Sequence, residues 1–328
     1  MKKLLSAGLC LSMFLLAGCQ GQPQDTTLTI TDQAGREVTF EEPCQTAASG
    51  YYITTTIMIG LQQQDKLTGI EMKPETHPIY AKAAEEILDL PQLGNKKMFN
   101  VEECAKADPD VVFLPVSLES YVEELEALDI PVVLLEPETA DDFEEAVEII
   151  GKVMGCEDKV DEYKQYEEDL LEKYELDEVE EEPTVYFAGS DLLTCATDDM
   201  YQGEILSYAQ ADNAIDAEGS SWVNIDIETL LAANPDYVFI EAGSLSADDF
   251  KNDARVQELQ AVQNDHVYVF PSTLETWDTP SLSSCLGKLW AASILHPELV
   301  SMDDVEAESV AFYEQFYGFT PEAQDLAL

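Results

Sequence analysis

Over 328 residues, acidic side chains outnumber basic ones 67 to 16, leaving a net charge of -51. A surface so negative repels nucleic acid and anionic lipid headgroups, and neither is expected as a partner. The two arginines, Arg36 and Arg255, are too few to grip a small, strongly anionic ligand with guanidinium forks, which leaves lysines or helix N-termini for that task.

The chain opens on Met1-Lys2-Lys3, then an apolar run from Leu4 to Leu16, then Leu16-Ala17-Gly18-Cys19. A basic start, an apolar stretch too short for the roughly 20 residues of a permanent span, and small residues before a cut site predict a secretory signal peptide over residues 1–19. The cysteine directly after Leu-Ala-Gly resembles the bacterial lipoprotein signal. That resemblance implies that Cys19 is lipidated and heads a mature chain tethered to the cell membrane; the alternative is an ordinary cleaved signal with an incidental cysteine. Loss of Lys2 and Lys3 takes the charge from -51 to -53. Past Cys19 stand Cys44, Cys104, Cys156, Cys195 and Cys285, an odd number without C-x-x-C or zinc spacing, so buried free thiols are expected rather than a disulfide framework.

Residues 20–27 are polar and Gln-rich, a flexible stalk. Thr27–Ile30 and Glu37–Phe40 predict two short strands around a turn. Short apolar runs follow at Leu67–Glu71, Val111–Leu114 and Val132–Glu136, with helical patterns at Ile79–Leu88 and Tyr121–Leu128 between them. This alternation predicts βαβ units and a mainly parallel sheet with helices on both faces. Asp141–Met154 reads as an amphipathic helix. A second runs from Glu157 to about Leu176, ahead of the acidic stretch Glu178–Glu182 and Pro183. A strand at Thr184–Gly189 then restarts the pattern. The fold class predicted is α/β, with two Rossmann-like lobes joined by one long helix: lobes at 28–155 and 183–328, the joining helix at 156–178.

An internal repeat supports two lobes. Asn100-Val101-Glu102-Glu103-Cys104-Ala105-Lys106-Ala107-Asp108-Pro109-Asp110-Val111-Val112-Phe113 has its counterpart in the stretch from Asn224 through Glu228 and Asn234-Pro235-Asp236 to Phe239. Each copy reads as a short helix with an acidic start, a Pro-Asp turn and a buried strand.

At these residues the chain resembles the substrate-binding proteins of ABC importers, in the class that handles iron–siderophore, haem and cobalamin. The resemblance runs through Thr29-Ile30-Thr31-Asp32-Gln33-Ala34-Gly35-Arg36-Glu37-Val38, Asp65-Lys66-Leu67-Thr68-Gly69-Ile70 and Pro91-Gln92-Leu93-Gly94. It continues through both Pro-Asp repeats, His266-Val267-Tyr268-Val269-Phe270-Pro271, and the segment from Trp277 to Pro297. It implies a monomer with a ligand between the lobes, and a glutamate on each lobe that docks onto arginines of the membrane permease, itself served by an ATPase. Those glutamates fall on Glu102 and Glu228; the plainer reading is helix N-terminal carboxylates favoured by the macrodipole.

Ligands of open α/β sheets sit beyond the carboxyl ends of the strands. Aromatic side chains in the loops expected there suit a large, partly apolar chelate. Tyr51, Tyr52, His77, Ser117, Tyr201, Trp222 and Trp277 are the candidate ligand contacts, with Tyr80 and Tyr121 in the same loops. His77, alone and before a proline, reads as a loop residue or a metal ligand; His266 and His296 read as structural. Lys73 is the one cation expected in these loops, which favours a neutral or cationic ligand such as a ferric hydroxamate or a corrinoid. A ferric siderophore is the leading ligand, with cobalamin, cobinamide or haem as alternatives, and the protein itself needs no cofactor and no resident metal. No G-x-S-x-G, G-x-G-x-x-G, P-loop or H-E-x-x-H occurs, so no enzymatic activity is expected. A lipoprotein that senses its ligand without transporting it is the remaining competitor.

Overall fold

A computed structural model describes residues 27–328 apart from 175, 177, 178, 180, 218, 220 and 272. The expected signal peptide, Cys19 and the stalk up to residue 26 lie outside the described residues. Strands β1 (Leu28–Thr31) and β2 (Glu37–Phe40) form an antiparallel hairpin. Next come β3 (Ala47–Ser49), helix α1 (Tyr52–Gly60), β4 (Leu67–Gly69) and α2 (Pro78–Ala83). A tight hairpin of β5 (Gly94–Asn95) and β6 (Met98–Phe99) precedes α3 (Val101–Ala107) and β7 (Val111–Pro115). The lobe is completed by α4 (Val122–Glu126), β8 (Val132–Leu135) and α5 (Ala140–Met154). Its four main strands lie in the order β4-β3-β7-β8, all parallel.

Helix α6 (Glu157–Lys173) leads to the second lobe. There β9 (Thr184–Ala188), β10 (Thr194–Cys195), α7 (Tyr201–Tyr208), β11 (Asp212–Asn213) and β12 (Val223–Asn224) come first. They are followed by α8 (Ile227–Ala233), β13 (Tyr237–Ile240), α9 (Ala247–Asn252), α10 (Gln260–Gln263) and β14 (Val267–Val269). Helices α11 (Ser284–Leu295), α12 (Met302–Phe312) and α13 (Ala323–Leu326) end the chain. The parallel order β11-β9-β13-β14 reproduces that of the first lobe, with β10 and β12 added antiparallel at one edge.

The repeat has a physical cause in both lobes. Asn100 and Asp226 cap α3 and α8 by accepting the N–H of Glu103 and Thr229. Asp108 and Asn234 end those helices in the left-handed region, at φ 51° and 44°. The aspartate after each proline then ties the new strand to its neighbour. Asp110 Oδ2 accepts from the backbone N–H of Gln45 and Thr46, and Asp236 Oδ2 accepts from the N–H and hydroxyl of Thr184.

Side-chain alternation divides each sheet between two cores. Val111, Phe113, Val133 and Leu135 face the same core as Val185, Phe187 and Phe239, a core that also contains α5, α6 and α11 residues. Val112, Leu114, Val132 and Leu134 face a separate core, as do Tyr186, Val238 and Ile240. Burial on both faces explains the continuous apolar runs in place of a polar–apolar alternation.

Two expected helices differ from the observed ones. The pattern at Ile79–Leu88 breaks at Ala84 (φ -154°), because the break lets Ala84 and Ile87 both reach the core. The long helix stops at Lys173, where Tyr174 turns aside to donate to Glu308 Oε1 at 3.0 Å while its carbonyl accepts from Tyr208 Oη. Helix α1 carries no amphipathic stripe because eight of its nine residues, Ile53 to Gly60, are buried. All five cysteines past Cys19 are buried and unpaired. Among the described residues no helix is long and apolar enough to cross a membrane.

Candidate functional site in the interlobe cleft

A cavity of about 710 Å³ opens between the lobes. Tyr52, Thr56 and His77 wall it from the first lobe, and Ala242, Phe270 and Glu275 from the second. These residues follow the carboxyl ends of β3, β4, β13 and β14, where parallel α/β sheets present their ligands. Tyr52 stacks on His77, with ring centroids 5.4 Å apart and planes 9° from parallel. His77 Nε2 lies 4.0 Å from Glu71 Oε1. Glu71 is itself buried and accepts from Tyr80 Oη at 2.7 Å and from Thr55 Oγ1 at 2.6 Å. The imidazole is thus backed by a fixed carboxylate; burial lowers its pKa and Glu71 opposes that shift.

Carboxylates dominate the electrostatics. Tyr51 Oη donates to Glu138 at 3.3 Å. The Tyr52 hydroxyl is pushed up to about 12, by burial first and then by the charges of Glu138, Asp278 and Glu241. Burial also raises Glu241. Asp278 is fully buried and is raised to about 7 by desolvation, against the Ala242 N–H that it accepts at 2.9 Å. Glu275 takes hydrogen bonds from Ser283 Oγ and Tyr317 Oη on one oxygen. Its Oε2 and Asp278 Oδ1 are out of reach of solvent, and neither has a hydrogen-bond partner among the described residues. Behind Tyr51, Lys96 Nζ sits 5.8 Å from the ring centroid and lowers Glu136, which burial and Glu138 raise.

Of the seven expected ligand contacts, Tyr52 and His77 line the cavity. Tyr51 packs edge-on against Tyr52 behind that wall. Ser117 is exposed and donates to the Lys96 carbonyl at 3.0 Å, pinning the β5–β6 hairpin. Trp222 covers Gly189, where a Cβ would meet its ring at 2.6 Å. Like Tyr51, Ser117 and Trp222, the last two are absent from the cavity lining. Trp277 is completely buried and donates from Nε1 to Tyr313 Oη at 3.1 Å. Tyr201 is buried at a second cavity of about 410 Å³ beside α5, α6 and α11, bonded to Ser284 Oγ. In both cases packing captures an aromatic group that the loop position alone suggested for ligand. The groups missed from the sequence are Glu138, Glu241, Glu275, Asp278 and Lys96. The only sequence signal of the four carboxylates was membership of an acidic background, which makes each indistinguishable from a solvated one.

Glu102 and Glu228 both stand exposed in the first turn of equivalent helices, α3 and α8. Among the described residues no cluster of three or more His, Cys, Asp or Glu has metal-binding geometry.

Comparison with known proteins agrees with this architecture. Residues 48–274 match the periplasmic binding protein family. The molybdate-binding protein MolA of Haemophilus influenzae is 23% identical over 317 residues, spanning 88% of this chain and 90% of that protein. Its structure with molybdate bound superposes with a TM-score of 0.76 at 22% identity, covering 90% of this chain and 99% of that one. A periplasmic solute binding protein of Veillonella parvula gives a TM-score of 0.78 at 20% identity, covering 92% and 97%. Helicobacter pylori CeuE in a nickel–histidine complex gives 0.71 at 18% identity, covering 91% and 97%. With two α/β lobes, a joining helix and a family match over more than half its length, the chain belongs to the periplasmic binding proteins, the extracytoplasmic solute-binding components of ABC transporters.

Proposed function

We propose that this protein is a lipid-anchored carrier, tethered through Cys19, that captures a neutral or cationic metal chelate in the interlobe cleft and delivers it to an ABC permease. The observation that carries the reading is the cleft itself. Its volume of about 710 Å³ falls in the range of about 300–1,000 Å³ usual for small-molecule sites. Broad aromatic contact from Tyr52 and His77 suits a chelate, and carboxylates suit one without net negative charge. A ferric siderophore of the hydroxamate type fits this description; corrinoids and haem share its size class. Glu102 and Glu228 are the docking contacts, one on each lobe, poised for basic residues of the permease.

The likeness to MolA favours a second reading, a molybdate-like oxyanion. Size and charge oppose it. A five-atom ion takes the room of a few water molecules of about 30 Å³ each, and Glu138, Glu241, Glu275 and Asp278 would repel it.

Tryptophan-fluorescence titration of soluble residues 20–328 with a ferric hydroxamate, cobinamide, haem, a ferric catecholate and molybdate separates these readings. Saturable quenching by the hydroxamate or cobinamide is expected. Binding of molybdate alone would replace the chelate with the oxyanion, and silence from all five ligands would overturn the carrier reading. Replacing Glu102 and Glu228 together with Ala is expected to abolish uptake and leave the titration unchanged. Survival of uptake would overturn the docking role of these two glutamates.

A further inference from the structure

Beside Glu102 lies a groove of about 430 Å³ lined by Leu93, Met98, Phe99 and Tyr121, with Glu102 and Glu124 among its walls. Met98 is 58% exposed, the highest value among the exposed large hydrophobic side chains described. Its position is built in. Gly94 opens the hairpin at φ +135°, and a Cβ there would stand 2.1 Å from the Met98 carbonyl oxygen, so the two strands approach as only glycine allows. Asn95 steadies the turn by accepting the Lys97 N–H at 2.9 Å, and Ser117 holds the Lys96 carbonyl from outside. Phe99 meets Tyr121 edge-on at 6.1 Å to form the groove floor. A methionine held out over an aromatic floor, at the edge of a groove walled by Glu102 and Glu124, marks a contact surface, since thioether side chains adapt to an incoming apolar group.

We propose that this groove is a socket for the permease, receiving an apolar side chain of a permease segment whose adjacent basic residue meets Glu102 and Glu124. The inference rests on the docking role given above to Glu102 and adds the apolar half of that contact. Charge complementarity selects the partner: the acidic rim requires a basic segment, and the groove requires an apolar side chain next to it. The second lobe meets the permease differently. On α8 the exposed Leu231 follows Glu228 by three residues and shares its face of the helix, but the position equivalent to Leu231 in the repeat is Ala105, which projects no such side chain. Two lobes of one design thus offer distinguishable surfaces, a groove on one and a ridge on the other, and that difference gives docking a single orientation.

The test uses the full soluble chain and its permease–ATPase complex in lipid nanodiscs, with affinity read by biolayer interferometry. Met98→Glu is expected to weaken association at least tenfold, Met98→Leu to preserve it, and Glu102→Gln to weaken it. Leu128→Glu, an equally polar change at another exposed site of the same lobe, is expected to leave it unchanged. Ligand titration of each variant verifies that the cleft is intact. Normal association of Met98→Glu alongside weakened Glu102→Gln would overturn the socket while the docking role stands. Equal weakening by Leu128→Glu would overturn it as a mere charge effect. Normal association of both Met98→Glu and Glu102→Gln would overturn the docking reading itself.

Discussion

The carboxyl group of Asp278 supports the cleft from behind, through the backbone of Ala242 in its wall. It is completely buried, with one oxygen on the Ala242 N–H and the other without a partner among the described residues, and its pKa rises from 3.8 to about 7. A carboxyl raised on folding keeps its proton longer in the native state than in the unfolded one. Its contribution to stability is complete below pH 3.8 and is lost as pH rises to about 7. Asp278→Asn removes that dependence. In denaturant titrations the stability of the wild-type protein relative to Asp278→Asn should fall between pH 4 and pH 7 and level off above; a difference that does not vary with pH would refute the burial assigned to this group. The same arithmetic bears on ligand: a cationic group near Asp278 and Glu241 holds both ionised, so its binding should strengthen from pH 5 to pH 8. His77 adds to this trend: burial lowers its pKa against the opposing charge of Glu71, and protonation at low pH would place a like charge beside a cationic ligand.

At the scale of elements, the Pro-Asp turns hold the two sheets together at matching points. At the start of the neighbouring strand's segment Asp110 accepts two backbone N–H groups and Asp236 one N–H and one hydroxyl, and each lobe carries its own copy. Asp110→Ala and Asp236→Ala should each cost about 1–3 kcal/mol, the range for a hydrogen bond to a charged group. The two sites lie in separate lobes and share no partner, so the double variant should show the sum. Chemical denaturation of the three variants checks this, and a double variant no worse than either single one would deny the equivalence of the turns. These elements were legible because their signals are local: caps, a proline, an apolar run of strand length. Helix α1 and strand β3 were not, since Tyr52–Gly60 is buried all round and Ala47-Ala48-Ser49 has no β-branched residue to announce a strand.

The whole molecule is organised by a core that passes through both lobes. Val133 and Phe113 of one sheet, Phe187 and Phe239 of the other, and Val160, Tyr163 and Leu170 of α6 belong to a single apolar cluster. The chain end reinforces it. Phe316 packs edge-on against Tyr163 and Tyr166 of α6, and Asp325 of the last helix pairs with Lys82 of the first lobe at 2.9 Å. Seventeen helical residues, about 25 Å at 1.5 Å each, thus run between the lobes, anchored on the core through Val160, Tyr163 and Leu170. Ligand loading is therefore expected to shift the lobes little. Small-angle scattering with and without the hydroxamate chelate should give one radius of gyration, whereas a clear contraction on loading would show a hinge that this core does not permit.

What the chain determined by itself was its architecture. Apolar runs of strand length, helices with periodic faces and a duplicated cap–Pro-Asp–strand unit are local patterns, and local physics suffices to read them as two α/β lobes with a helix between. Tertiary structure alone decided which side chains face the cleft. Tyr52, the first residue of α1, and Trp277, in the loop after β14, both follow the ends of parallel strands, yet one lines the cavity and the other is completely buried, because Gly287 of α11 packs against it and Tyr313, just past α12, takes its indole N–H. Glu138, Glu241, Lys96 and the pair Glu275 and Asp278 come from four separate loops. Only the packing of two sheets around a common core brings Glu275 into the cavity wall and Glu138, Glu241 and Asp278 within electrostatic reach of Tyr52, and the loss of water there strengthens their charges.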